Sequence, residues 1–179
     1  MKSVVTCALA FMLLAVLAGP QAAGGADAQA TASVKLSGKT VSINYSAPAM
    51  KGRKIFGELV PYGKAWPAGG TPAKLHTDAA IDIQGLSVPK GDYSLYLFPD
   101  PKGWQLIVNK AIGPQAATYD QKKDVGRVRL RVSQATTPIE TYNMKLSGTG
   151  LAGKLEAGWE KTIVAVSFYI DAVKESSEW

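Results

Sequence analysis

The sequence predicts an all-β fold, a single antiparallel β-sandwich of jelly-roll-like or Ig-like kind, preceded by a signal peptide. Three observations carry this expectation. Apolar and polar residues alternate with period two through most of the chain beyond residue 30, the alternating runs are short, and turn-forming residues separate them. Strands at such spacing, without helix-length apolar patterns between them, argue for antiparallel layers rather than βαβ units. A length of 179 residues, 46% hydrophobic and 19% charged, suits one packed domain and excludes a disordered chain.

The first 28 residues stand apart. Lys2 supplies a basic start, Val4 to Leu17 is uncharged and apolar, Gly19-Pro20 breaks a helix, and Ala26-Asp27-Ala28 offers a small-residue cleavage pattern. A signal peptide is therefore expected over residues 1–28, cleaved between Ala22 and Ala28, with residues 29–179 as the domain. The apolar stretch falls short of the roughly 20 residues a bilayer span needs, so no stable span is expected after processing. Cys7, the single cysteine, leaves with the peptide. Pro20 occupies the position a lipid-bearing cysteine would take, so the exported, periplasmic or secreted chain is expected to carry neither lipid nor thiol. Lys2 and Asp27 offset each other, and the net charge of +6 stays with the domain.

Within the domain, Val34 and Leu36, then Val41, Ile43 and Tyr45, alternate around a Ser37-Gly38-Lys39 turn and predict a hairpin. Further strand-like runs are 75–77, 80–83, 92–98, 104–109, 125–132, 141–146, 154–159 and 162–170. Pro89-Lys90-Gly91, Pro99 to Gly103, Thr137-Pro138 and Gly148-Thr149-Gly150 read as turns between them. Gly52 to Gly63 forms at most one helical turn. The irregular stretches 66–74 and 110–123 are long enough to shape a site on a rigid scaffold.

The run GRKIFGELVPYGKAW at Gly52 to Trp66 continues in VPKGDYSLYLFPDPKGWQLIVNK, Tyr119-Asp120, Asp124, Arg127, PIETYNMKL and GWEKTIVAVSF. This ordered series resembles the exported bacterial domain of unknown function 2911 (DUF2911) and covers nearly the whole domain. The resemblance implies export and architecture, and no activity. Relatives commonly follow the tryptophan with Trp-Arg-Thr-Gly-Ala-Asn, whereas here Trp66 precedes Pro67-Ala68-Gly69-Gly70-Thr71, so that Arg and Asn are absent.

Most catalytic chemistries lack their residues. His76 is the only imidazole, it lies in a strand-like run, and no G-x-S-x-G elbow occurs, so no catalytic residue is assigned. One His without a mature Cys cannot assemble a zinc site, and neither Asp78/Asp82 nor Asp120/Asp124 has the dense acids of a calcium loop. No metal or cofactor is expected. Gly148 to Gly153 matches G-x-G-x-x-G, but it runs into a strand rather than a helix, which removes the phosphate-binding helix N-terminus. Two carboxylates suffice for glycoside hydrolysis, so Glu58, Asp120 and Asp124 keep a carbohydrate-active enzyme or accessory domain using an Asp/Glu pair as the alternative. Their structural reading is pairing with Arg53 or Arg127.

Arg127, Arg129 and Arg131 alternate with Val128, Leu130 and Val132, which on one strand makes an anion-binding ladder or a solvated face paired with Glu140 or Glu156. Trp104 and Trp159 read as core plugs, while Trp66, beside Tyr62 in a Gly/Pro segment, reads as a binding residue. The expected ligand-binding residues are Arg53, Tyr62, Trp66, Tyr119, Asp124 and Arg127. The expected function is a non-enzymatic binding or envelope-associated module. Its partner would be an anionic polymer, a glycan or an envelope protein, and not nucleic acid, because export removes that partner. A structural or protein-partner module is the third reading.

Overall fold

The computed structural model describes residues 27–171. Apart from its last two positions, the expected signal peptide lies outside the described residues, and Cys7 with it. In chain order the strands are β1 (Ala28–Leu36), β2 (Lys39–Ala47), β3 (Trp66–Pro67), β4 (Ala73–Thr77), β5 (Ile81–Ile83), β6 (Leu86–Val88), β7 (Gly91–Phe98), β8 (Gln105–Asn109), β9 (Asp124–Arg129), β10 (Arg131–Thr149) and β11 (Ala152–Ile170). Among the described residues there is no α-helix, and none is long and apolar enough to cross a membrane.

Two antiparallel sheets pack face to face. The larger runs β1-β2-β4-β7-β8-β9, with β3 also paired to β7, and the smaller runs β10-β11-β5-β6. Val41, Ile43, Leu75, Leu95 and Leu106 of the first sheet meet Ile81, Ile83, Leu146, Leu155, Val166 and Phe168 of the second. Each fully buried Leu or Ile contributes about 1.5–3 kcal/mol. The predicted β1–β2 hairpin forms, with Val34 opposite Val41 and Leu36 opposite Lys39 across Ser37-Gly38.

Several elements differ from the sequence expectation, each for a local reason. In β7 the inward residues Tyr93, Leu95 and Leu97 are buried, but so are the outward Ser94 and Tyr96. The segment 110–123 covers that outer face, and the Tyr96 hydroxyl donates to Ala116 O at 2.6 Å. The run 125–132 is two strands, because at Leu130, whose N–H donates to Trp104 O, the chain passes from the first sheet to the second. Val132, which unbroken alternation on one strand with Val128 and Leu130 would send into the core, is exposed.

Thr137-Pro138 is no turn. It lies within β10, an edge strand, where a missing N–H can face away from the ladder, and register shifts flank it at Gln134/Ile139 and Ile139/Asn143. The runs 154–159 and 162–170 form one strand with Glu160 at φ 55°. Gly148 to Gly153 closes the β10–β11 hairpin. At Gly153 a Cβ would stand 2.2 Å from the Phe168 ring, so packing requires this glycine. Gly52 to Gly63 contains no helical turn and is held by a bridge between Phe56 and Val60, both buried with Ile55.

Candidate functional site

The candidate site sits where the chain leaves β2 and runs beside β10. Met50 N donates to Glu140 O at 2.8 Å, Tyr142 N to Pro48 O at 2.9 Å, and Lys51 N to Glu140 Oε1 at 2.9 Å. These bonds fix the 48–51 backbone over the end of the sandwich. Below it, Trp66 of β3 lies nearly parallel to Trp159 of β11, with centroids 5.8 Å apart and planes 20° apart. Tyr142 meets both rings edge-on at 5.6 and 5.7 Å, and Phe56 meets Trp159 at 6.4 Å. Trp159 Nε1 donates to Glu140 O at 3.3 Å. The Tyr142 hydroxyl is buried with no hydrogen-bond partner among the described residues, and burial pushes its ionisation up.

A cleft of about 530 Å³ opens above this floor, lined by Asp27, Pro48, Lys51, Arg53, Leu59, Trp66, Gly70 and Trp159. Its volume lies in the usual range for small-molecule sites. Arg53 is oriented by its own segment, with Nε donating to Met50 O and Nη2 to Ala49 O, both at 3.0 Å. Neither Lys51 nor Arg53 forms an ion pair with a carboxylate among the described residues. The arrangement offers an aromatic face beside two cations, which suits a sugar ring carrying an acidic group.

Sequence reasoning placed Arg53 and Trp66 in one site, and the fold brings them together. Trp159, read as a core plug, is buried and also lines the cleft. Tyr62 is exposed, with its ring over Gly57, and does not line it. Asp27, Pro48, Lys51, Leu59 and Gly70 were not anticipated. The only sequence signal for Lys51 was its position two residues before Arg53.

Tyr119, Asp124 and Arg127 form a second, separate cluster. Asp124 Oδ2 accepts from the Tyr119 hydroxyl at 2.6 Å and from Arg127 Nε at 3.1 Å, while Arg127 Nη2 donates to the Tyr119 oxygen at 2.6 Å. Asp124 Oδ1 accepts from Asn109 Nδ2 at 2.8 Å. The Arg127 guanidinium also lies over the rings of Phe98 and Tyr119, 5.6 and 5.9 Å from their centroids. Burial, then the Asp124 carboxylate, push the Tyr119 hydroxyl up to about 12. These polar atoms satisfy one another and tie 110–123 to the outer face of β7, β8 and β9.

The three-arginine ladder does not form. Arg127 and Arg129 are on β9, Arg131 pairs with Ala165 in the other sheet, Glu140 accepts from Lys51 N, and Glu156 pairs with Lys154 at 2.7 Å. The acids considered for glycoside hydrolysis are dispersed. Glu58 pairs with Lys54 at 3.6 Å, Asp120 accepts from Lys122 N at 3.0 Å, and Asp124 is held as described.

His76 is clamped between two carboxylates, with Nδ1 2.8 Å from Asp92 Oδ1 and Nε2 3.0 Å from Asp78 Oδ1. The acids occupy opposite ring nitrogens and cannot converge on one ion. Among the described residues no three such side chains are grouped to hold a metal. The Asp92 bond, then the Asp78 bond, raise the His76 pKa above 6.5. Asp78 is lowered first by the Thr40 N–H and then by His76, and Asp92 first by His76 and then by Lys74. The stabilisation from raising His76 is therefore full below about pH 6.5 and lost as pH rises through the folded value. That from the two acids is present above about pH 3.8 and lost as pH falls. His76→Ala is expected to lower the urea midpoint more at pH 5 than at pH 9. Equal losses at both values would show that folding does not raise the His76 pKa.

The family described as protein of unknown function, DUF2911, matches residues 27–168. No curated protein and no solved structure matches the chain. The matched span begins one residue before β1 and ends within β11, so it takes in both sheets, the Trp66 cleft and the Tyr119 cluster. The chain belongs to the DUF2911 family.

Proposed function

We propose that the protein is an exported, non-enzymatic module that binds an anionic carbohydrate in the Trp66 cleft. The observation that carries this reading is the placement of Lys51 and Arg53 beside the stacked Trp66 and Trp159 in one open cleft. A pyranose ring lays its C–H face on an indole, and a carboxylate or phosphate on the sugar takes charge-assisted bonds from the cations. Export rests on the basic start, the apolar stretch and the small-residue pattern of residues 1–28. The net charge of +6 favours an anionic partner. Binding is preferred to hydrolysis because Glu58, Asp120 and Asp124 have partners outside the cleft, and Asp27 is the one acidic residue lining the cleft among the described residues.

The test is a thermal-shift and calorimetric titration of the purified chain with digalacturonate, a muramic-acid disaccharide from peptidoglycan, and neutral cellobiose. A ligand at about a hundred times its dissociation constant adds about 2.7 kcal/mol of stability. Digalacturonate or the muramic-acid sugar is expected to bind, cellobiose to bind at least about tenfold more weakly, and Trp66→Ala or Arg53→Ala to remove the shift. No binding by either acidic sugar, or equal binding of cellobiose, overturns the reading. N-terminal sequencing of the chain from the host envelope is expected to read a start between residues 23 and 29, and an intact Met1 there overturns export by cleavage.

A further inference from the structure

A second cleft, of about 420 Å³, adjoins the first. Its walls include Pro67, Thr71, Lys74 and Ile112, and Gly70 lines both clefts. Resting on the reading above, we propose that the ligand is a linear anionic glycan that occupies the Trp66 cleft, passes over Gly70 and continues along the second cleft.

The segment between the clefts is held low. At Gly69, φ +97°, a Cβ would stand 2.2 Å from Ser46 O, so only glycine allows this approach to the end of β2. Ser46 Oγ is 2.7 Å from Thr71 Oγ1 and accepts from Gln29 Nε2 at 2.8 Å, while Gly70 N donates to Pro67 O at 2.8 Å. Gly70 itself faces open space, since a Cβ there would meet nothing within 4 Å. Bare backbone thus forms a saddle between two clefts, and its anchors fix its height.

The two clefts share one feature, an exposed apolar side chain with a cation in the same lining. Leu59 accompanies Lys51 and Arg53 in the first, and Ile112 accompanies Lys74 in the second. Lys74 pairs with Asp92 at 3.3 Å but stays half exposed, so its ammonium keeps donors for a ligand. A single acidic sugar matches one such unit. A chain of them presents the matching group at intervals and engages both clefts, the second contact being made at high effective concentration.

The test is calorimetry on the purified chain with oligogalacturonates of one, two, four and six residues, with neutral cellohexaose as control. Affinity is expected to rise at least about tenfold from the dimer to the hexamer. Ile112→Glu and Lys74→Gln are expected to remove that gain while leaving dimer affinity unchanged. Gly70→Asn, whose side chain tolerates positive φ, is expected to remove the gain as well by raising the saddle, with thermal melting confirming that each variant is folded. Binding that depends on Trp66 but not on chain length overturns the continuous path and leaves the proposed function standing. So does a length gain that survives all three substitutions. Failure of every oligogalacturonate to bind overturns the continuous path, and failure of the muramic-acid disaccharide as well overturns the proposed function; equal binding of cellohexaose overturns the anionic assignment.

Discussion

Trp159→Ala is expected to lower the unfolding free energy by about 3–5 kcal/mol, the usual cost of emptying a fully buried tryptophan site. Trp159 is 2% exposed and contacts Trp66, Tyr142 and Phe56 through its ring faces and edges. Removing the indole also takes away one of the two bonds that Glu140 O accepts, leaving it only the Met50 N–H of the 48–51 segment. For a domain of this size the melting temperature should fall by about 10–15 °C. Trp66→Ala should cost less than half as much, since Trp66 is only partly buried, yet it should affect binding directly. A loss below about 1.5 kcal/mol for Trp159→Ala would show that the aromatic cluster is loosely packed and that the cleft has no rigid floor.

How much of this was legible in the sequence depends on how local each determinant is. Strand alternation is local, so the β1–β2 hairpin and the two-sheet architecture follow from Val34, Leu36, Val41, Ile43 and Tyr45 and from the turn residues. β6 went unread because a three-residue strand, Leu86 to Val88, has no period to detect. The second-sheet destination of Arg131 was invisible because alternation continues unbroken through Leu130 while the chain changes sheets. Alternation fixes which side a residue faces along one strand, and nothing about which strand lies alongside. The site divided for the same reason. Arg53 and Trp66 meet because their segments end at the same rim, whereas Tyr119, Asp124 and Arg127 meet on the outer face of β7, β8 and β9. There the segment 110–123, irregular in sequence, is tied down by side chains that flank it, Asn109, Asp124 and Arg127, and by Tyr96 of β7. Its fixed position has a polar cause that no apolar pattern advertises.

That polar cause yields the second large effect. Asp124→Ala is expected to destabilise the protein by about 3 kcal/mol, because removing one member of a largely buried ion pair leaves the other members unpaired. The Asp124 side chain is 11% exposed and accepts three bonds, from Tyr119, Arg127 and Asn109. Asn109 is fully buried, and its amide group is completely used. Nδ2 donates to Asp120 O and to Asp124, and Oδ1 accepts from Ala111 N. Losing the carboxylate therefore loosens Asp120 and Ala111 as well as Arg127, so the damage should concentrate in 110–123. Amide exchange should accelerate at Lys110 and Lys123, whose N–H groups bond Lys123 O and Asp120 O, while the buried amides of β2 stay protected. Tyr119→Phe alone should cost about 1 kcal/mol, and combined with Asp124→Ala much less than the sum, since both act through one network. A loss under 1 kcal/mol, or additive losses in the double variant, would show that solvent serves these groups as well as they serve each other. Digalacturonate binding at the Trp66 cleft should survive Asp124→Ala below its melting temperature. The outer-face network holds the scaffold, and none of Asn109, Tyr119, Asp124 and Arg127 lines the Trp66 cleft.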